Sequence, residues 1–258
     1  MKQLILLICF PLQVVCQNTI GFPDIINYPK QSYKAGLQNW DIKQDKNGIV
    51  YFANNEGLLS FDGKYWNNHP LPNKTNVRSV EIGPANRIYV GGQDELGYFA
   101  PAANGRLLYY SLIEQIAAKD RSFGDVWDIV AFKGNIYFRS PKKIFKFTDR
   151  AVAVFNAPSE WDFLGECNGK LFAHDYAAGL LVFENDIWAP VFTENILPVN
   201  DPVTGIISIQ KDSAIITTLK NGLFLLSDTR IAVLPSVNNQ LFKNERVYAA
   251  TSINKDWI

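Results

Sequence analysis

Six acidic residues are the side chains of this 258-residue sequence best placed for chemistry: Asp45, Asp62, Asp94, Glu95, Asp128 and Asp162. Paired carboxylates would serve glycoside cleavage, one as acid and one as base or nucleophile. Asp45 and Asp62, however, stand in turn-like Gly/Asn stretches, where a carboxylate usually bonds nearby backbone. The chain has two histidines, His69 and His174, and no HExxH, CxxC or EF-hand spacing. It also lacks a GxSxG elbow and a phosphate-cradling Gly-Lys loop. No catalytic residue, metal or cofactor is therefore expected. Cys167 lies in a strand-like stretch (FLGEC) and reads as an inert buried thiol. With 25 basic and 25 acidic residues the net charge is zero, so nothing electrostatic favours a nucleic-acid surface.

The elements that would position such residues come from a repeat. Five segments share a turn, an apolar strand, a polar break and a second strand closing on a large apolar residue. Their anchor pairs are Tyr51 and Phe61, Tyr89 and Phe99, Tyr137 and Phe147, Phe172 and Phe183, Ile216 and Leu226. Each pair is ten residues apart except the fourth, which is eleven apart. A further strand precedes each pair (40–44, 77–82, 126–132, 161–167, 205–210). A shorter one follows (65–66, 107–110, 151–155, 188–192, 231–234). Four strands per unit of roughly 40 residues is the blade of a β-propeller. One such sheet cannot bury both faces, whereas stacking blades around an axis does. The fold expected is all-β: a propeller of four-stranded blades, about five complete plus a truncated sixth, in an incomplete ring. The fixed anchor spacing disfavours the competing β-sandwich. Residues 111–119 (SLIEQIAAK) read as a short helix on the outer rim.

In a blade, the start of the first strand and the loop between strands two and three lie at the same end. That register selects Trp40, Asn55, Glu56, Arg78, Asp94, Glu95, Trp127, Arg139, Trp161, Asp175, Tyr176 and Lys220 as one ligand-binding face. Aromatic rings with amides and charges suit a polar small molecule or oligosaccharide. A structural role competes: Trp40, Trp127 and Trp161 recur at the head of the first strand and would wedge neighbouring blades apart.

Residues 1–16 look like a signal peptide: Lys2, the apolar run LILLICF, then Pro11, with cleavage expected after Cys16. A lipoprotein anchored at Cys16 and an uncleaved anchor are the alternatives; the apolar run is short for a membrane span. Residues 17–39 form a lead-in. Residues 40–258 hold the repeats, with blades at 40–75, 76–123, 124–160, 161–201 and 202–246 and a partial one at 247–258. Residues 247–254 read as the first strand of that sixth blade, so the chain is expected to be the exported N-terminal part of a longer polypeptide. A six-bladed ring closed by residues 20–28 is the alternative.

The stretch WDIKQDKNGIVYFANNEGLLSFDG (40–63) resembles the two-component-regulator propeller repeat. The matching residues are Ile42, Asp45, Gly48, Tyr51, Phe52, Gly57, Leu58, Phe61 and Asp62. The lead-in 21–42 is similar to that of bacterial sensors built on this repeat. The likeness is sharp in the first unit and looser later: the second lacks the Gly-Leu pair and the third has Lys143-Ile144 there. The resemblance implies a periplasmic ligand sensor on the outer side of the inner membrane. A β-sandwich, a membrane helix and a helix-turn-helix or histidine-kinase output would follow. Membrane attachment, nucleic-acid binding and kinase activity would all belong to that further part, and dimerisation to the full-length protein. The other readings are a secreted polysaccharide lyase or hydrolase and a protein-binding scaffold.

Overall fold

A computed structural model of the chain describes residues 25–192, 196–198, 200–228 and 230–252. The leader, lead-in residues 17–24 and partial-blade residues 253–258 lie outside them. Twenty strands form five antiparallel four-stranded sheets, each a simple meander in chain order. Blade one comprises β1 (Asn39–Gln44), β2 (Val50–Asn54), β3 (Gly57–Phe61) and β4 (Trp66–His69). Blade two comprises β5 (Val77–Ile82), β6 (Ile88–Gly92), β7 (Glu95–Pro101) and β8 (Leu107–Ser111). Blade three comprises β9 (Asp128–Phe132), β10 (Asn135–Arg139), β11 (Lys143–Phe147) and β12 (Val152–Asn156). Blade four comprises β13 (Trp161–Cys167), β14 (Lys170–Asp175), β15 (Gly179–Glu184) and β16 (Ile187–Pro190). Blade five comprises β17 (Val203–Gln210), β18 (Ser213–Thr218), β19 (Gly222–Ser227) and β20 (Ile231–Val233). Among the described residues the chain is an all-β propeller with five complete blades.

Turn chemistry sets the hairpins. Lys133-Gly134 and Asn168-Gly169 join the first two strands of blades three and four with positive φ at both positions, the geometry that matches strand twist. Gly57 opens β3 at φ 134°, where an added Cβ would lie 2.5 Å from the His69 carbonyl oxygen. This is a physical reason for the Gly-Leu signature.

The core sits between blades. Tyr51 and Leu58 of blade one meet Val80, Ile88 and Phe99 of blade two. Tyr89 and Leu96 turn to the other side of blade two and meet Ile129, Phe138 and Phe145. Tyr137 and Ile144 pack on Trp161 and Leu171, and Phe172 and Leu180 pack on Ile216 and Phe224. Alternate residues of each middle strand thus serve opposite neighbours, which is why these strands are apolar on both faces. All five first anchors are buried.

The inner strands β1, β5, β9, β13 and β17 pack in succession. They are also tied together by side chains. The Asp41 carboxylate accepts the Val80 N–H at 3.0 Å, Ser79 donates to the Val126 carbonyl at 2.8 Å, and Asp128 accepts the Leu164 N–H at 2.9 Å. These bonds hold consecutive blades at the axis.

Two expectations fail. Residues 111–119 form no rim helix but two 3-10 turns, Ile113–Gln115 and Ala118–Asp120. Ile116 and Ala117 are extended between them, which drops Ile116 into the core between blades two and three. Residues 247–252 form no strand. An inner strand takes its ladder from the second strand of its own blade, and no described residue supplies one here. The segment follows α2 (Asn239–Glu245) and lies across blade five, with the Val247 N–H bonded to the Leu219 carbonyl. Strand ends also shift by one to three residues; the fourth strand of blade one, for example, runs to His69.

Candidate functional site

The antiparallel meander puts the heads of the inner strands and the hairpins between second and third strands at one end of the ring, its mouth. There seven of the twelve selected residues, from four blades, come together: Trp40, Asn55, Arg78, Trp127 and Tyr176 at least partly exposed, Arg139 and Trp161 buried.

Trp40 donates its indole N–H to Asn55 Oδ1 at 2.7 Å, and the same oxygen accepts Arg78 Nη1 at 3.4 Å. The Arg78 guanidinium lies 4.3 Å from the Trp40 ring centre and 5.2 Å from that of Trp127. Its Nε donates to Asp125 Oδ2 at 3.3 Å. The two indoles meet edge to face at 5.6 Å. A cation held over aromatic faces by a carboxylate and an amide is a fixed group rather than a wandering side chain. Asp125 Oδ1 is buried without a partner.

Trp127 continues this surface into a hollow of about 370 Å³ between blades three, four and five. Arg139, Trp161, Asp162, Tyr176 and Tyr248 line it further. Arg139 is buried, its Nε 2.7 Å from Asp128 Oδ2 and its Nη1 3.2 Å from the Trp161 carbonyl. Asp162 holds the His174 Nδ1 at 2.8 Å, and His174 Nε2 is buried without a partner. Burial raises the Asp162 pKa, partly offset by His174 and by Arg139. Burial also raises that of Asp41 at the axis, against the pull of the Val80 N–H and Lys43. Charging the carboxylates in this low-dielectric centre is costly, and each lies close enough to Asp128 to feel its charge.

The other five selected residues stand apart. Asp94 caps the chain entering blade three, accepting the Phe123 and Gly124 N–H groups at 2.6 and 2.7 Å. Glu95 accepts the Tyr109 and Ser111 hydroxyls at 2.8 and 2.7 Å, away from the axis. Asp175 is fully buried and accepts the Ser159, Ala177 and Ala178 N–H groups and the Ser159 hydroxyl. Burial alone would raise the Asp175 pKa, but these bonds outweigh it and lower it. Glu56 and Lys220 are exposed at hairpin tips, the Lys220 N–H bonded to Asp201. The competing role for the tryptophans divides: Trp161 is 2% exposed and wedged on Trp188, whereas Trp40 is 41% exposed.

Sequence reasoning passes over Asp41, Asp201 and Tyr248. A signal for the first exists: Trp-Asp recurs at 40–41, 127–128 and 161–162. Among the described residues no group of three or more His, Cys, Asp or Glu side chains is arranged to hold a metal. No described helix is long and apolar enough to cross a membrane.

No protein-family profile matches the chain, and none of the curated proteins is a significant match. Solved structures are similar in fold. The extracellular domain of a hybrid two-component system from B. thetaiotaomicron has a TM-score of 0.61 at 16% identity, covering 80% of this chain and 28% of that one. Virginiamycin B lyase from Staphylococcus aureus has 0.60 at 14% identity, covering 78% and 71%. The WD40 propeller domain of Doa1 has 0.56 at 16%, covering 76% and 68%. The chain therefore spans little more than a quarter of the two-component extracellular domain it matches. At these identities the likeness is one of fold, and the fold of this chain is a β-propeller.

Proposed function

We propose that this chain is the extracytoplasmic sensing propeller of a larger membrane-spanning signal-transduction or transcription regulator, of the two-component-regulator propeller kind. It binds a carbohydrate or other polar ligand at the ring mouth and catalyses no reaction itself. The observation that carries this reading is the joint surface of Trp40, Arg78, Trp127 and Tyr176, with the buried Arg139 in the wall of its hollow. It combines open aromatic faces with fixed cations beside a hollow of about 370 Å³, within the range of small-ligand sites. The leader-like first residues and the likeness to a two-component extracellular domain support an exported sensor. Several blades build the site, so a ligand that bound one packing of the blades more tightly than another would bias any domain attached to it.

Titration calorimetry with malto-, cello-, xylo- and mannohexaose tests the reading. At least one should bind the chain, and Trp127→Ala should weaken it about tenfold or more. Binding unchanged by Trp127→Ala would contradict it. Reading the coding sequence past Ile258 tests the sensor assignment. Continuing blades and a membrane segment are expected, and an immediate stop would remove it.

One observation favours a propeller enzyme instead: the Asp162–His174 pair has the form of an oriented base. Yet His174 is 1% exposed, so its free Nε2 does not reach the hollow's solvent. Hydrolysis or eliminative cleavage of the same oligosaccharides, lost in His174→Gln, would reverse the choice.

A further inference from the structure

Each blade leaves its fourth strand as an edge on the rim of the ring: β4, β8, β12, β16 and β20. An edge strand offers a row of unpaired N–H and C=O groups to any strand laid beside it. Soluble proteins blunt such edges with proline, charge, shortness or a covering segment. β4 runs straight into Pro70, and Tyr28 and Tyr33 of the lead-in pack on its Trp66. β16 closes on Pro190, and β20 has three residues with Pro235 soon after. β12 turns Val152 and Val154 onto the core between blades two and three, and Phe155 onto Phe183 and Trp188. β8 is different. It is Leu-Leu-Tyr-Tyr-Ser, without proline or charge, and Leu108 and Tyr110 are 47% and 45% exposed.

The hydrogen-bond phase of β8 follows from its two ends. The Leu112 N–H bonds the Leu96 carbonyl, and the Ala102 N–H bonds the Arg106 carbonyl. Tyr98 stands opposite Tyr110, and Ala100 opposite Leu108. Antiparallel alternation then turns the N–H and C=O groups of Leu108 and Tyr110 toward β7, and those of Leu107, Tyr109 and Ser111 outward. The outward groups are centred on Tyr109, so β8 can pair antiparallel with β8 of a second copy about a two-fold axis there. In that register Leu108 faces Tyr110 of the second copy as a non-hydrogen-bonded pair, the kind in which side chains come closest. Each exposed apolar side chain is thereby covered by the other. Tyr110 is already held for this, since Tyr98 stacks on it at 5.2 Å and the Arg87 guanidinium lies 4.5 Å from the Tyr98 ring centre. No charge on β8 meets its own copy, and zero net charge leaves two chains without long-range repulsion.

We propose that β8 is a homodimer interface of this chain, joining blade two of two copies into one continuous sheet. The strand lies on the rim, so the interface stands independently of ligand binding at the mouth. Sedimentation velocity of the chain tests it. The mass should double with a dissociation constant of about 100 µM or tighter. Leu108→Lys with Tyr110→Lys sets like charges opposite each other in this register and should weaken the dimer about tenfold or more. Leu108→Glu with Tyr110→Lys sets opposite charges there and should keep it. Both positions are exposed, so these variants fold. Val233→Lys, a charge on the exposed edge of β20, should leave the dimer unchanged. Weaker or undetectable association of the parent chain would overturn the proposal. So would a dimer indifferent to the lysine pair, equal weakening by the lysine pair and the Glu-Lys pair, or loss in Val233→Lys.

Discussion

Acidic side chains at the ring mouth and at the hairpin tips behave differently, although both lie at the same end of the blades. At the mouth, Asp128 reaches from blade three to the Leu164 N–H of blade four and holds Arg139, and Asp125 holds Arg78. At the tips, Asp175 and Asp94 are saturated by loop N–H groups. The aromatic and cationic partners at the mouth keep faces open to solvent, and Trp40 remains 41% exposed, while Asp175 is 0% exposed. A carboxylate beside unpaired backbone donors is consumed by them, whereas one beside a neighbouring blade's cation orders a surface. Residue type is shared; the local supply of N–H donors decides the role.

The comparison can be broken by mutation. Asp175→Ala should have the largest effect, about 4 kcal/mol of stability in urea unfolding. It strands several buried donors at once, and a loss below about 1 kcal/mol would show that the cap is ornamental. Asp128→Ala should cost about 3 kcal/mol, because Arg139 is left buried and unpaired. It should also disturb oligosaccharide binding at the mouth, which Asp175→Ala measured below its unfolding transition should not.

Acidity sharpens the contrast in turn. The His69 pKa is lowered from 6.5 by burial, so its contribution to stability is present above 6.5 and lost as pH falls through the depressed value. Asp41 and Asp162 are raised from 3.8, so theirs is fullest below 3.8 and lost as pH rises through the raised values. Unfolding midpoints measured from pH 7 to pH 5 should therefore fall less in His69→Gln than in the parent chain. Glu56→Ala, at an exposed tip, should change stability by no more than about 0.5 kcal/mol and leave binding at the mouth untouched.

Most of the fold is legible in the sequence because blade packing needs a large buried residue at a fixed place. Tyr51, Tyr89, Tyr137, Phe172 and Ile216 mark that place, and all are in the core. The segment 111–119 misleads because Leu112, Ile113 and Ile116 are spaced as on a helix, while two separate turns carry them into the core. Register alone places Trp40, Arg78, Trp127 and Arg139 at one end, and they do meet. It says nothing of which carboxylates find backbone donors first. Asp41 and Val80 are 39 residues apart, so their bond is visible only once neighbouring blades are placed. The caps of Asp94 and Asp175 depend likewise on loops that carry no repeat.

The central claim is that the mouth, and not the hairpin tips, takes the ligand. Calorimetric titration of malto-, cello-, xylo- and mannohexaose into the parent chain, Trp127→Ala and Glu56→Ala addresses it most directly. The account predicts binding of at least one sugar, at least about tenfold weaker in Trp127→Ala and the same in Glu56→Ala. Affinity lost in Glu56→Ala and kept in Trp127→Ala would contradict it.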